Sequence, residues 1–387
     1  MKLATAIVLT ALATGLTVRA AGPQDRAVGR DGWNREAAAR YLDERMDGWF
    51  GAATKLRTGD TQTGCVSCHT SIPYALARPR LRQAMHLGTL TPQEAKLVDN
   101  VTRRVETYDT HQLLYEISDV KKVESRGTEA VINALILASA DEGQQRREAS
   151  AVTRKAFAHL WETQRADGSW DWLQFGLEPF EGVGAPYYGA TLAALAVGTA
   201  PGTATDPAST AGIEKLRGFI NEHYAEQSLF NQTWVLFAST RLKDLLPRAQ
   251  REALIANLQT HQREDGGWSM DTLGPWRWSK TVAPFASPGP LDASLLAKSD
   301  GYATGLIVYT LRQVGIAADQ PAVKKGLQWL RANQQDVQID QQTWHIWRAH
   351  SLNYDREHGG ERGQSMRRMF MSDAASAFAV LALTASE

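Results

Sequence analysis

Gln164-Arg165-Ala166-Asp167-Gly168-Ser169-Trp170 and Gln262-Arg263-Glu264-Asp265-Gly266-Gly267-Trp268 are two copies of one phrase. The first follows Lys155-Ala156 and Leu160-Trp161, and the second follows Ala253 and Leu258. A third run, Lys325-Gly326-Leu327-Gln328-Trp329-Leu330, reaches Gln334 with its tryptophan expected late, at Trp344. Each glycine can end a helix in the left-handed conformation. Each Gln amide can bond backbone groups left bare at helix ends. The tryptophan is then placed to pack over the junction between hairpins.

Outward from these turns the chain alternates between two kinds of helix. The segments 128–140, 187–198, 230–240, 301–311 and 372–383 are apolar nearly all round, which predicts burial on every side. Between them, 148–164, 213–224, 247–262 and 321–334 are amphipathic and charged. No sustained period-two alternation competes with this pattern. Upstream, 35–50 reads as amphipathic and 72–85 as more apolar, while 92–107 and 113–117 are ambiguous. The sum is about twelve helices in six hairpins, an all-α, (α/α)6-like toroid. The N-terminal region 21–127 joins the repeats of 128–387 in that ring.

The Gln-to-Trp phrase resembles the QW motif of terpenoid cyclases, squalene–hopene cyclases and prenyltransferase β subunits, over residues 128–386. That resemblance implies the toroid and says little about the reaction. The cyclases' protonating Asp-x-Asp-Asp has no counterpart, since Asp167 and Asp171 belong to the repeat. Nor is there a prenyltransferase zinc set of Asp, Cys and His.

Lys2 followed by the uncharged stretch from Leu3 to Val18, then Val18-Arg19-Ala20, reads as a signal peptide cleaved after Ala20. Residues 1–20 carry Lys2 and Arg19, so the remainder holds 40 basic against 42 acidic residues, a net charge of −2. Nothing offers the basic face a nucleic-acid partner needs, and no later stretch is long and apolar enough to span a membrane. The expected location is periplasmic or secreted.

The only two cysteines fall in Thr63-Gly64-Cys65-Val66-Ser67-Cys68-His69-Thr70. Two thiols at this spacing add across the vinyl groups of a haem, and the adjacent imidazole reaches the iron. The stretch resembles the attachment site of c-type cytochromes. The resemblance implies covalent haem c on Cys65 and Cys68, with His69 as the proximal metal ligand. No Met-Pro distal segment follows; Met85, His86 and His111 are the candidate sixth ligands, and five-coordinate iron is the alternative. A helix opening near His69, with Pro73 in its first turn, would bring Ile72, Leu76 and Leu81 to shield a haem face. A Cys65–Cys68 disulfide, a zinc site and a thioredoxin-type redox pair compete.

Other candidates carry simpler explanations. Ser299-Asp300 and Ser372-Asp373 read as helix caps, or as groups at the mouth of the ring. His345, His350 and His358 gather near Trp344, Trp347 and Tyr354, in a spacing unsuited to a metal pair. Glu178 and Glu181 flank Pro179-Phe180 in a Gly-rich loop, as general acid or as ordinary solvated groups. Loops rich in Gly, Pro, Ser and Thr span 198–212, 274–290 and 355–364, and the second, long and carrying Trp276 and Trp278, reads as a lid or binding loop or as surface decoration.

Three functions follow. The first is an exported redox protein with a partner protein for electron transfer, or haem-assisted oxidation of a molecule held in the ring. The second is a cyclase- or prenyltransferase-like enzyme, or a protein binding an apolar isoprenoid or lipid, with a structural Cys65–Cys68 disulfide. The third is a carbohydrate-active toroid working through paired carboxylates.

Overall fold

Twelve helices of ten residues or more carry the chain in a computed structural model that describes residues 32–55, 63–113, 115–276, 293–339, 342–353 and 369–385. The signal segment, Trp278, Tyr354, His358 and the loop 355–364 lie outside the described residues. In chain order the helices are α1 (Arg35–Lys55), α2 (Ser71–Ala84), α3 (Pro92–Glu106), α4 (Asp119–Gly143), α5 (Ala151–Glu162) and α6 (Ala185–Thr199). They continue as α7 (Thr210–His223), α8 (Leu229–Ala238), α9 (Arg248–Thr260), α10 (Gly301–Gln313), α11 (Pro321–Ala332) and α12 (Phe370–Thr384).

Odd and even helices differ as the apolarity pattern predicts. In α6, α8, α10 and α12 nearly every side chain is buried, whereas α7, α9 and α11 bury only a stripe of leucine, isoleucine or valine. The even helices pack side by side: α2 on α4, α4 on α6, α6 on α8, α8 on α10, α10 on α12, and α12 back on α2. The inner wall therefore closes on itself, and the odd helices lie outside it. Helix α2 packs on both α4 and α12, with α1 against α2 and α3 against α4.

The repeated phrase ties neighbouring hairpins. Gln164 Nε2 donates to the carbonyls of Gly168 (3.2 Å) and Gly212 (3.0 Å), the second on α7 of the next hairpin. Gln262 Nε2 does the same to Gly266 and to Ala322 of α11, both at 2.8 Å. Gly168 and Gly266 have φ of 93° and 90°, which favours glycine at both. Trp170 and Trp268 are fully buried, and each indole N–H donates to a leucine carbonyl ten residues back, on Leu160 and Leu258.

The third copy corrects an expectation. Its buried tryptophan is Trp347, whose N–H reaches Leu330 at 2.7 Å across 17 residues of sequence; Trp344 is only half-buried. The additional residues form an antiparallel hairpin of β1 (Gln335–Ile339) and β2 (Gln342–Ile346) inserted into the repeat turn. Gln334 keeps its role. Its amide donates to the carbonyl of Asn34 (3.0 Å) and accepts from Asn34 N (2.7 Å), just ahead of α1. The first and last hairpins are thus joined by the bond that joins the others.

Boundaries move for local reasons. Helix α4 starts at Asp119, capped by the Ser118 hydroxyl on Lys121 N, so a charged and mostly exposed turn precedes the apolar span. The described residues of 113–117 are not helical. Asp300 caps α10 through Tyr302 N and Ala303 N, both at 2.9 Å, as its position suggests. Ser372 and Asp373 do not cap. Helix α12 begins before them at Phe370, and both are buried inside its first turn.

Candidate functional site: the mouth around Cys65, Cys68 and His69

The turn leading into α2 is held by its own serines. Ser67 Oγ accepts from Thr70 N (3.2 Å) and Ser71 N (3.1 Å), and Ile72 N donates to the Ser67 carbonyl at 3.1 Å. Proline at position 73 falls in the first turn, where its missing N–H costs nothing. The preceding segment is pinned from two sides. Asn100 brackets Gly64 through its peptide N and O (2.7 and 2.9 Å), and Trp49 Nε1 donates to the Cys65 carbonyl at 2.7 Å.

Cys65 is partly exposed and Cys68 buried. Burial first, then the charge of Glu181 and the neighbouring Cys65, push the Cys68 thiol well above its ordinary pKa. It is a protonated, apolar-sided thiol rather than a thiolate nucleophile.

His69 is fixed in plane and in tautomer. Its ring stacks on Phe370 at 3.5 Å and 17°, and meets Trp49 edge-on at 5.0 Å. Its Nδ1 lies 2.9 Å from Thr70 Oγ1, and that hydroxyl donates its proton to Asp373 Oδ2 at 2.7 Å. A hydroxyl whose proton is committed can only accept, so Nδ1 carries a hydrogen, and in the neutral ring Nε2 holds the lone pair. Asp373 is held in turn by Arg45, through Nε at 2.6 Å and Nη2 at 3.0 Å, and by the Tyr41 hydroxyl at 2.7 Å. Burial and the Asp373 charge raise the Tyr41 phenol well above its usual range, so it stays a donor.

The other sequence candidates are dispersed. Met85 and His86 follow the last residue of α2, whose 14 residues span about 21 Å, and so lie at the opposite end of that helix from His69. Each ring nitrogen of His111 has its own contact, Nδ1 with the Thr107 carbonyl and Nε2 with Glu129, which also pairs with the buried Arg104. Ile72 and Leu81 are buried in the core, with Leu76 packed beside it. His345 pairs with Asp336 across the hairpin at 2.7 Å, while His350 is near enough for its charge to act on Asp300. Glu178 and Glu181 lie in a loop anchored by Asn353, whose amide bonds Glu178 N (2.7 Å) and O (2.6 Å). Among the described residues no group of three His, Cys, Asp or Glu is arranged to hold a metal ion.

Behind Cys68 the axis of the ring is filled. Phe180, Tyr188, Phe230, Trp234, Tyr302 and Phe378 pack ring against ring at 5.3–6.4 Å. What sequence reasoning missed is the Tyr41–Arg45–Asp373–Thr70 chain; the only signal was an acidic residue in an otherwise apolar inner helix.

No family model matches this chain, and no curated protein does. A solved polysaccharide lyase is similar over 90% of this chain and 97% of its own, at 10% identity and a TM-score of 0.47. The ring described above stands on its own helix packing. No described helix is long and apolar enough to cross a membrane.

Proposed function

We propose that this is an exported c-type haem protein on an α/α toroid, with haem joined through Cys65 and Cys68 and its iron held by His69. The observation that carries it is the chain of contacts from His69 Nδ1 through the Thr70 hydroxyl to Asp373, which calls for a hydrogen on Nδ1. This is the arrangement by which metal-binding histidines present Nε2 and gain basicity from a carboxylate behind them. The donor set fits the group: two thiols and an imidazole in one short turn, with the imidazole clamped between Phe370 and Trp49. Bound haem would supply a one-electron redox centre. The chain's own residues orient the ligand, place the Asp373 carboxylate behind it, and bury one face of the site.

Expression with c-type maturation machinery tests this. The expected product is red, keeps its haem through denaturation, and begins at Ala21 after export. Cys65→Ser with Cys68→Ser should be colourless, and Thr70→Val should shift the iron spectrum while retaining haem. Colourless wild-type protein carrying a Cys65–Cys68 disulfide would overturn the proposal.

A further inference from the structure

At the end of the ring away from Cys65, the C-terminal turns of the inner helices surround a second opening. A cavity of about 170 Å³ is lined there by residues of α2, α4, α6, α8 and α10. Through Arg80, Gln83 and Tyr309 it continues into a groove of about 750 Å³ that reaches α12. The combined opening is of the size that small ligands occupy.

Cations at helix C-termini have an ordinary role, since they meet bare carbonyls at the negative end of the helix dipole. Arg35 does this, donating to the Ala84 carbonyl at 2.9 Å, and Arg312 does it to Ile316 (2.7 Å). Arg80 and Arg241 do something else. Both converge on one carboxylate, Glu142, Arg241 tightly at 2.5 Å and Arg80 loosely at 3.4 Å. The Arg80 side chain is 41% exposed and lines both openings, so its planar fork faces the space between them. Two guanidiniums on one carboxylate give the Arg80–Arg241–Glu142 trio a net charge of +1. Around it stand hydrogen-bonding groups that carry no charge: the Tyr309 hydroxyl, the Gln83 amide, and the hydroxyls of Ser139 and Thr199. Burial, the largest influence on Tyr309, keeps its phenol protonated despite the two guanidiniums beside it.

We infer that this mouth binds a small polyhydroxylated molecule carrying one oxyanion, carboxylate or phosphate, with Arg80 on the oxyanion and Tyr309 and Gln83 on hydroxyls. A guanidinium fork matches either oxyanion. The site is independent of the haem proposed for the other mouth.

Calorimetric titration of the whole protein with glucuronate, glucose 6-phosphate, glucose and inorganic phosphate tests it. At least one anionic sugar should bind roughly tenfold tighter than both glucose and inorganic phosphate, as a charged hydrogen-bonded pair implies. The better of the two identifies the oxyanion. Arg80→Gln should remove roughly that tenfold and leave the thermal midpoint unchanged. Arg80→Lys, which keeps charge and loses the fork, should fall between and guards against a folding defect in the glutamine variant. Glucose or phosphate binding as tightly as both anionic sugars, no binding by either sugar, or unchanged binding in Arg80→Gln would each overturn it.

Discussion

At one mouth of the ring Asp373 and Asp300 sit in the first turns of α12 and at the cap of α10, while at the other Arg35, Arg80, Arg241 and Arg312 meet the last turns of the inner helices. The helix dipoles call for this division, since carboxylates are favoured at N-termini and guanidiniums at C-termini. The two sets are solvated very differently, however. Asp373 and Arg45 are buried together, with side chains 2% and 7% exposed, whereas Arg80 and Glu142 are 41% and 34% exposed. One mouth uses its charges to fix a histidine in place. The other keeps a charge in contact with solvent, where a solute can reach it.

Removing Arg45 should have the largest effect, because it strands Asp373 inside the fold. Arg45→Ala is expected to cost about 3–5 kcal/mol in chemical denaturation. A loss under about 1 kcal/mol would mean the two mouths are solvated alike, and the contrast would be gone.

The repeat turns lead into inner-helix N-termini and so stiffen the same mouth. Trp347→Ala should cost about 3–5 kcal/mol, the range for a buried tryptophan, while Trp344→Ala should cost less than about 1 kcal/mol. The reverse order in denaturant would return the third repeat to Trp344.

Asp300 sharpens the comparison through pH. Burial pushes its carboxyl up to about 6, against the hydrogen bonds from Ala303, Met270 and Tyr302 and the nearby His350. An acid whose pKa is raised on folding binds its proton more tightly in the native state. Its contribution is therefore fully present below about pH 4, is lost as pH rises towards 6, and is flat above that. The span corresponds to about 3 kcal/mol. Asp300→Asn should remove that decline from the melting-temperature profile between pH 4 and 6; a profile identical to wild type would show that Asp300 titrates normally.

Arg241→Ala at the opposite mouth should cost only about 1 kcal/mol, since the Glu142 it leaves is one-third exposed.

The ring itself is legible in the sequence because its causes are local. A glycine needing positive φ, a glutamine reaching a helix end and all-round apolarity are each visible within a dozen residues. The third repeat escapes that logic, as the β1–β2 insertion moves its tryptophan beyond the repeat's spacing. Asp373 escapes it for another reason: serine followed by aspartate at an apolar helix looks like a cap, and its true partner, Arg45, is 328 residues away in sequence. Met85 and His86 seemed near His69 because sequence distance hides the rise of the intervening helix. The second mouth was not foreseen at all. Arg80, Glu142, Arg241 and Tyr309 come from four different hairpins, and the one available hint is a charged residue just past an apolar helix, as at Arg241.

The bond from Gln334 to Asn34 has a consequence for how the protein comes apart. An open stack of hairpins has two ends, and it frays from them, each repeat melting with only one neighbour to hold it. Here the seam carries hydrogen bonds of the kind found between other hairpins, the Trp33–Trp347 contact at 5.8 Å, and the Arg45–Asp373 pair. A closed ring has no terminal repeat, so no hairpin is cheaper to lose than its neighbours. Native-state hydrogen exchange should then show the inner helices opening together, with the seam as well protected as any other junction.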